Sequence, residues 1–289
     1  MTKNPPQAYL KPMLKKLRID VLAYRSYHGF IAKFTYLRNI YRKSFKKTAP
    51  ILLYHRIDSV SNDPIKLCVS PKSFEEHLQF LKRNYDVIPL SELSRRVIEG
   101  TLKGNEAAVT FDDGYEDNLM NALPILEKYT VPATIFVTTG MLGKKANFGW
   151  DKKYLGTDRA TFLNPEEIKI LSNHKLIEIG AHTDTHPRLT RLSEIEQKDE
   201  VSRSKKILEE ITDKKILALA YPFGGINDYN RTLKKIVSKS DFQFAYTNTG
   251  LFAVTSEDPF SIPRINIRES SVTELASKLH TFSIFGSKC

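Results

Sequence analysis

The chain contains 289 residues, of which 41% are hydrophobic and 27% charged, and it carries a formal net charge of +11; this composition is typical of a globular protein and excludes a disordered or fibrous one. No run approaches the roughly 20 apolar residues of a transmembrane helix, and the first residues lack the apolar segment of a secretory signal, so we expect a cytoplasmic protein. The two cysteines, Cys68 and Cys289, form neither a disulfide framework nor the ligand spacing of a zinc finger.

The excess positive charge lies at the start of the chain. Residues 1–49 contain twelve Lys or Arg and one acid, Asp20, whereas the remainder has as many acidic as basic residues. We therefore divide the chain into a basic arm, residues 1–48, and a body, residues 49–289. Apolar residues recur at helical spacing in the arm and predict basic amphipathic helices. Such helices either pack on the body or lie on an anionic membrane, here the inner membrane face; nucleic acid is not expected, because no binding motif accompanies the charge.

From Pro50 onward, short apolar runs alternate with helical stretches, a pattern typical of parallel strands joined by helices. Strands are predicted at residues 51–54, 107–111, 133–137, 177–179, 216–220, 244–247 and 265–267. Helices are predicted at 73–84, 119–129, 164–173, 193–211, 229–240 and 272–279, with Ser73 and Asn164 as N-caps. Seven such strands predict an α/β fold, a closed or nearly closed (β/α) barrel rather than an open sheet.

Polar or conformationally special residues follow five of the predicted strands directly. They are His55, Asp112-Asp113-Gly114, Thr138-Thr139-Gly140, Gly180-Ala181-His182 and Tyr221-Pro222-Phe223-Gly224-Gly225. The carboxyl ends of parallel strands meet at one mouth of a barrel, where catalytic groups gather. We therefore expect these residues to lie close together.

Asp112 and Asp113 stand side by side at the end of the second predicted strand. Neighbouring strand residues point to opposite faces, so both carboxylates can face the mouth only if the chain turns there, as Gly114 permits. Taken alone, Asp-Asp-Gly is more often an ordinary turn.

His182 and His186 are four residues apart, a spacing that brings two imidazoles to one side of a turn and suits a metal ion. Pro187 disfavours helical geometry at His186 and predicts a short loop. Taken alone, such a pair is as readily explained by surface or capping histidines. Together with Asp113 at a second strand end, the two histidines predict a metal site, with a second carboxylate left as a base.

The motifs at residues 110–114, 182–186 and 221–224 resemble those of polysaccharide deacetylases, carbohydrate esterase family 4. The resemblance extends from about residue 50 to residue 268 in the expected order and spacing. It implies a distorted (β/α)7 barrel that removes acetyl groups from N- or O-acetylated sugars with a divalent metal, for which we expect zinc. By position, Asp113, His182 and His186 would bind the metal, Asp112 would take a proton from the water nucleophile held there, and the backbone N–H of Phe223 would bind the oxyanion.

The chain departs from the commonest family pattern in two places. Ala220 stands where an Arg that orients the base is expected, and Arg264 is either its substitute or an ordinary surface arginine. A His near the chain end is expected as the acid for the leaving amine. Residues 51–55 instead resemble members with circularly permuted motifs, which makes His55 the candidate acid; a structural role for His55, or His280 as the acid, are the alternatives.

Two aromatic residues, Tyr115 and Trp150, are candidate substrate contacts, although Trp150 is equally suited to the core. The predicted substrate is an N-acetylated glycan, and the basic arm favours a lipid- or nucleotide-linked glycan precursor at the inner membrane in envelope synthesis. The alternative is a catalytically inactive carbohydrate-binding protein on the same fold, which Ala220 suggests.

Overall fold

The computed structural model describes residues 47–61, 63–145, 148, 160–254 and 258–285, with side chains as far as His280. The helices predicted in the arm and Trp150 lie outside the described residues, so the division at residue 48 remains a prediction. Among the described helices, none is both long enough and apolar enough to span a bilayer.

The described residues form thirteen strands and seven α-helices. The strands are β1 (Thr48–Ala49), β2 (Ile51–Tyr54), β3 (Arg56–Ile57), β4 (Cys68–Val69), β5 (Asp86–Val87), β6 (Glu106–Phe111), β7 (Ala133–Val137), β8 (Ile177–Ala181), β9 (Ala218–Ala220), β10 (Phe244–Thr247), β11 (Ala253–Val254), β12 (Ile262–Pro263) and β13 (Ile265–Asn266). The helices are α1 (Pro71–Asn84), α2 (Leu90–Glu99), α3 (Leu123–Tyr129), α4 (Pro165–Asn173), α5 (Glu194–Thr212), α6 (Arg231–Lys239) and α7 (Val272–Phe285), and a π-helical segment (Asn118–Ala122) leads into α3.

The main sheet is a nearly closed parallel barrel. Its strand order is β12-β10-β9-β8-β7-β6-β2-β13, and every pair along this path is parallel. β12 and β13 are two halves of one segment, separated only by Arg264, and they pair with opposite edges of the sheet. Residues 262–266 therefore close the ring, and counting them as one strand gives the seven-stranded (β/α) barrel predicted from the sequence.

The interior is filled from all sides of this ring. Every residue of β2, β6 and β7 is buried, as expected for parallel strands that are covered on both faces. One buried cluster joins six of the seven barrel strands, through Ile51, Ala108, Phe136, Ala220, Tyr246 and Ile262. Since residues from around the ring meet in one cluster, the barrel is a packed core with its chemistry confined to the rim.

The predicted elements are largely confirmed, with some corrections. β2, β7 and β10 have the predicted bounds. The N-cap at Asn164 is confirmed by a capping box with Glu167. The N-cap prediction at Ser73 was wrong, because α1 starts at Pro71 and the Ser70 side chain accepts from the Ser73 backbone N–H. β8 runs past its predicted end, because Gly180 leaves room for the Phe136 ring: a Cβ there would lie 2.4 Å from Phe136 Cδ1.

Candidate active site

The strand register brings the predicted site residues to one rim of the barrel. Tyr54 lies opposite Phe111 in the β2–β6 pair, and Val137 lies opposite Ala181 in the β7–β8 pair. His55, Asp112 and His182 follow β2, β6 and β8 directly. The side chains that the sequence analysis singled out at these three strand ends therefore share the carboxyl rim of the barrel.

The backbone at this rim adopts conformations that side-chain-bearing residues usually avoid. Four of the eight described non-glycine residues with positive φ belong to the predicted motifs, namely Asp113 (74°), Thr183 (64°), His186 (60°) and Phe223 (63°). Such conformations cost about 1–3 kcal/mol each and persist where the surrounding structure enforces them. At the end of β6 it is thus Asp113 itself, together with Gly114, that turns the chain and brings both carboxylates to the mouth.

Asp113, His182 and His186 form a compact cluster of candidate ligand atoms. Their ligand atoms all lie within 4.8 Å of one another, and all three residues are buried. Asp113 Oδ1 is 3.5 Å from His182 Nε2 and 3.4 Å from His186 Nε2. Two ligands of a tetrahedral zinc ion lie about 3.3–3.6 Å apart, given bond lengths of about 2.0–2.2 Å. The spacing and the donor types therefore fit a divalent metal such as zinc.

The orientation of His182 favours the same interpretation. Its Nδ1 lies 2.9 Å from the backbone oxygen of Ala220, so the proton resides on Nδ1 and the lone pair of Nε2 points at the cluster. Burial lowers the pKa of His182 and lowers that of His186 well below its usual value, so both imidazoles are neutral at pH 7 and able to act as ligands. Ala220, the residue that replaced the expected arginine, thus contributes its carbonyl to the site.

The loop that carries the two histidines is held by side chains from outside it. The carboxylate of Glu200, on α5, accepts hydrogen bonds from the backbone N–H groups of Asp184 and Thr185 at 2.9 and 2.8 Å. The Thr139 hydroxyl donates to the Asp184 carboxylate at 2.7 Å. No helix passes through residues 182–186, which confirms the predicted loop. Glu200 was not singled out from the sequence, since an exposed-looking helical acid gives no local signal of this contact.

Arg264 binds Asp112 through a two-point ion pair. Arg264 Nη1 and Nη2 each lie 2.7 Å from an oxygen of the Asp112 carboxylate, and both side chains are buried. The guanidinium also donates to the Thr247 carbonyl and the Thr110 hydroxyl, at 3.3 Å each, and lies 5.1 Å from the centre of the Phe136 ring. The interpretation of Arg264 as an ordinary surface residue is therefore wrong, because its side chain is buried and paired with Asp112.

The electrostatic environment keeps Asp112 ionised. Burial alone would raise the pKa of this carboxyl, but the charge of Arg264, with smaller contributions from His182 and His55, lowers it overall. Asp112 Oδ2 also lies 3.9 Å from His182 Nε2. An ionised carboxylate held in one orientation beside a cluster of candidate metal ligands has the properties of a general base.

His55 follows β2 at the same rim of the barrel. It is half-buried at the end of β2, and its imidazole interacts electrostatically with Asp112 and His182. Burial lowers the pKa of His55 to about 4, and the negative charge of Asp112 opposes this shift. The alternative acid, His280, lies within α7, which packs on α1.

The remaining predicted contacts have different surroundings. The Phe223 ring lies 5.0 Å from the His186 ring. Tyr115 is fully buried, and its ring stacks on that of Phe162 with the ring centres 4.9 Å apart. Phe148, which the sequence analysis did not single out, contacts the His186 ring at 4.8 Å. The rings of Phe148 and Phe223 thus both pack against His186, one of the candidate metal ligands.

The fold and the site together define the class of protein. The chain is a parallel (β/α) barrel that gathers two carboxylates and three imidazoles at its carboxyl rim, an arrangement suited to hydrolysis. The family model described as polysaccharide deacetylase matches residues 99–245, just over half of the chain. The chain therefore belongs to the polysaccharide deacetylase family, enzymes that hydrolyse carbon–nitrogen bonds other than peptide bonds.

Individual relatives agree with this assignment. YxkH of Bacillus subtilis is 29% identical over 220 residues, which cover 75% of this chain and 71% of YxkH. The poly-β-1,6-N-acetyl-D-glucosamine N-deacetylase of Staphylococcus aureus is 25% identical over 258 residues, 82% of this chain and 84% of that enzyme. The Streptococcus pyogenes deacetylase PplD, solved in complex with acetate, has a TM-score of 0.67 and 27% identity over 81% of this chain and 98% of PplD.

The family match covers some of the candidate site residues and leaves out others. Residues 99–245 include Asp112, Asp113, both histidines of the loop and Phe223, but they exclude His55 and Arg264. Those two residues contact or face Asp112 from segments before and after the match. The circularly permuted order inferred for the acid motif is compatible with this arrangement and remains a prediction.

Proposed function

We propose that this chain removes the acetyl group from an N-acetylated sugar of a polysaccharide or glycan precursor by metal-assisted hydrolysis. The observation that carries the proposal is the two-point ion pair between Arg264 and Asp112 beside the cluster of Asp113, His182 and His186. An ionised and oriented base next to three metal-type ligands is what hydrolysis of an unreactive amide requires.

Asp113, His182 and His186 would hold a divalent metal, for which zinc best matches the donor set of two imidazoles and one carboxylate. Bound there, the metal would supply a Lewis acid for the acetyl carbonyl and would ease deprotonation of water. The neutral imidazoles and the backbone carbonyl behind His182 support such binding at neutral pH. The backbone N–H of Phe223 is the proposed donor to the oxyanion.

Asp112 takes the proton of the attacking water, and Arg264 keeps its carboxylate charged and in one orientation. As the carbon–nitrogen bond breaks, His55 gives a proton to the leaving nitrogen, which departs as a neutral amine while acetate is released. Because burial keeps His55 neutral before the reaction, the proton that Asp112 takes from the water passes to His55 and from there to the leaving nitrogen, and the restored negative charge of Asp112 favours the protonated imidazole in between.

The relatives support an N-acetylated polysaccharide as the substrate class. The Staphylococcus aureus relative is an enzyme of poly-β-1,6-N-acetylglucosamine, so β-1,6-linked N-acetylglucosamine oligomers are the first compounds to test. The basic arm, residues 1–48, favours an encounter with glycan or glycan precursor at an anionic membrane surface.

Acetate release from a panel of N-acetylated sugars, with and without a chelator, tests the proposal. We expect release from at least one N-acetylglucosamine oligomer, loss of release with the chelator, and recovery on adding zinc. Asp112→Asn should retain the metal yet lose kcat by about three powers of ten. Release that persists after complete metal removal, or an Asp112→Asn variant with full turnover, would overturn the mechanism.

The alternative of an inactive carbohydrate-binding protein rested on Ala220 in the place of the expected arginine. Arg264 supplies the missing guanidinium from another strand end, so that reason no longer favours the alternative.

A further inference from the structure

The segment that follows the Asp112-Asp113 motif binds the main chain that carries His55. Asn118 Nδ2 donates to the His55 carbonyl at 2.9 Å. Asp117 Oδ1 accepts from the Ile57 backbone N–H at 3.0 Å. Asn121 Nδ2 donates to the Ile57 carbonyl at 2.7 Å. Asn118 thus binds the carbonyl of His55, whereas Asp117 and Asn121 bind the N–H and the carbonyl of Ile57, two residues further along the chain.

A buried ion pair reinforces these contacts. Arg56 donates to Asp117 Oδ2 at 3.0 Å and to Asp58 at 2.7 Å, and its guanidinium lies 5.7 Å from the centre of the Tyr115 ring. Burial raises the pKa of Asp117 to about 6, and the Arg56 charge opposes that shift, so the pair remains charged at neutral pH. Asn118 Nδ2 donates to Asp117 as well, at 3.1 Å.

The orientation of the Asn118 amide is determined by its neighbours. Its Nδ2 faces two oxygens, those of His55 and Asp117, so a flipped amide would oppose oxygen to oxygen. Asn118 is 1% exposed. Buried polar side chains are favourable only when such bonds are made, and well-packed apolar residues would stabilise the fold equally well. The contacts are therefore better explained by the position they impose than by the stability they add.

His55 needs an external support because of its place in the chain. It stands between β2, which ends at Tyr54, and β3, a two-residue strand whose one partner among the described strands is the equally short β4. The barrel ladder thus ends before His55. Beyond this point the backbone is held by the side chains of Asp117 and Asn118, which lie four and five residues after Asp113 in the chain.

We propose that Asn118 and Asp117 are positioning residues that fix His55 relative to Asp112, so that one stretch of chain carries the base, a metal ligand and the support of the acid. The inference rests on the proposed role of His55 as the acid. A proton donor must lie within hydrogen-bond reach of the leaving nitrogen, and a misplacement of about 1 Å can cost about a hundredfold in rate.

The leaving group separates this role from a purely structural one. An amine leaves an N-acetylated sugar only with a proton, whereas 4-nitrophenolate leaves 4-nitrophenyl acetate as a stable anion and needs no acid. Loss of the acid's position should therefore slow hydrolysis of the amide and spare that of the aryl ester.

The experiment compares Asn118→Ala with Asn121→Ala on a β-1,6-linked N-acetylglucosamine oligomer and on 4-nitrophenyl acetate. Both variants lose an amide-to-carbonyl hydrogen bond to the same segment, so they are matched in the bond removed. For Asn118→Ala we expect kcat on the oligomer to fall about 10- to 100-fold with KM, metal content and aryl ester turnover nearly unchanged. Asn121→Ala should keep kcat within about threefold, because its bond is to the Ile57 carbonyl and its loss leaves the bond to the His55 carbonyl and the Arg56–Asp117 pair in place.

Asp117→Asn serves if Asn118→Ala does not fold, because its similar shape favours the same fold while the neutral amide loses the charge that pairs with Arg56. The same selective loss on the oligomer, about fivefold or more, is expected. Equal losses on both substrates, or equal losses in Asn118→Ala and Asn121→Ala, would overturn the positioning role. His55→Gln separates failure of the acid role from failure of the positioning role. If this variant keeps amide turnover, the assignment of His55 as the acid fails. If it is inactive while Asn118→Ala is fully active, only the positioning role of Asn118 is refuted.

Discussion

Arg264 and Asp112 form a buried ion pair in which each charge depends on the other. The guanidinium is fully buried, and its bonds to Asp112, Thr247 and Thr110 replace the water it has lost. Removing one partner of such a pair leaves the other charge buried and uncompensated, which typically costs about 3–5 kcal/mol, whereas removing both can be nearly neutral. The pair is therefore weak evidence of extra stability and strong evidence of a fixed orientation for Asp112.

A double-mutant cycle tests this dependence. Arg264→Met alone should lower the free energy of unfolding by about 3 kcal/mol or more, because the Asp112 carboxylate stays buried without its partner. The same change in an Asp112→Asn background should cost less by at least about 1 kcal/mol. Urea unfolding of the wild type, both single variants and the double variant measures the coupling, with Arg95→Met, an exposed arginine on α2, as the control. Additive losses would contradict the coupling.

At the scale of the element, α5 anchors the loop that carries His182 and His186. Glu200 accepts from two successive backbone N–H groups of this loop and from the Thr185 hydroxyl, at 2.6 Å. Thr183 and His186 on either side have positive φ, so the loop needs such external bonds to keep its shape. The helix therefore supports the loop that carries two of the candidate metal ligands.

Replacing Glu200 by Gln should weaken metal binding. The amide keeps one acceptor oxygen but loses the charge and presents N–H groups where the loop offers donors, so we expect metal affinity to fall about tenfold, in the range seen for groups that support metal ligands. Glu210→Gln, an exposed acid on the same helix, is the control and should leave affinity unchanged. Competition with a metal-binding dye measures both. Equal affinities in the two variants would show that the loop keeps its shape without Glu200.

The elements were predictable to the extent that their signals are local. Parallel strands buried on both faces appear as continuous apolar runs, which is why β2, β7 and β10 were predicted with their observed bounds. The short strands β3, β4, β5 and β11 have only two residues each and leave no such run. α2 begins after Pro89 without a side-chain cap, so its start carries no recognisable N-cap signal.

The site was predictable only in part for the same reason. The ligand cluster follows two strands and has a characteristic residue spacing. Arg264 meets Asp112 across 152 residues of sequence, and Asn118 meets His55 across 63. No periodicity or spacing encodes such contacts. The resemblance left Arg264 with two interpretations and gave no indication of Asn118; the strand neighbours decide the first and reveal the second.

At the scale of the whole molecule, ring closure explains how the site is assembled. Residues 262–266 pair with β10 on one side and with β2 on the other, so the beginning and the end of the body become neighbours. His55 follows β2, and β2 lies between the closing segment that contains Arg264 and β6, the strand that Asp112 follows. The break between β12 and β13 is occupied by Arg264 itself, so the residue that interrupts the closing strand is the one that orients the candidate base.

The buried histidines of this rim also link the stability of the whole protein to pH. Burial lowers the pKa of His182, of His186 and of His55, the last to about 4. An unfolded chain protonates each imidazole near its ordinary pKa of about 6.5, so below that pH the unfolded state binds more protons and folding loses free energy. Asp117 works in the opposite direction, because burial raises its pKa to about 6. The three imidazoles with lowered pKa values outnumber the one carboxyl with a raised pKa, so the net effect of a falling pH is a loss of folding free energy.

We therefore expect the free energy of unfolding of the chelator-treated protein to fall by about 2 kcal/mol or more between pH 7 and pH 5, at up to about 1.4 kcal/mol per pH unit for each group. Urea unfolding at the two pH values measures this difference. His55→Asn should reduce the pH dependence by about 1 kcal/mol, since it removes one lowered imidazole, and Asp117→Asn should increase it by a similar amount, since it removes the opposing carboxyl. A pH dependence that both variants change in the same direction would contradict the opposite signs assigned to these two buried groups.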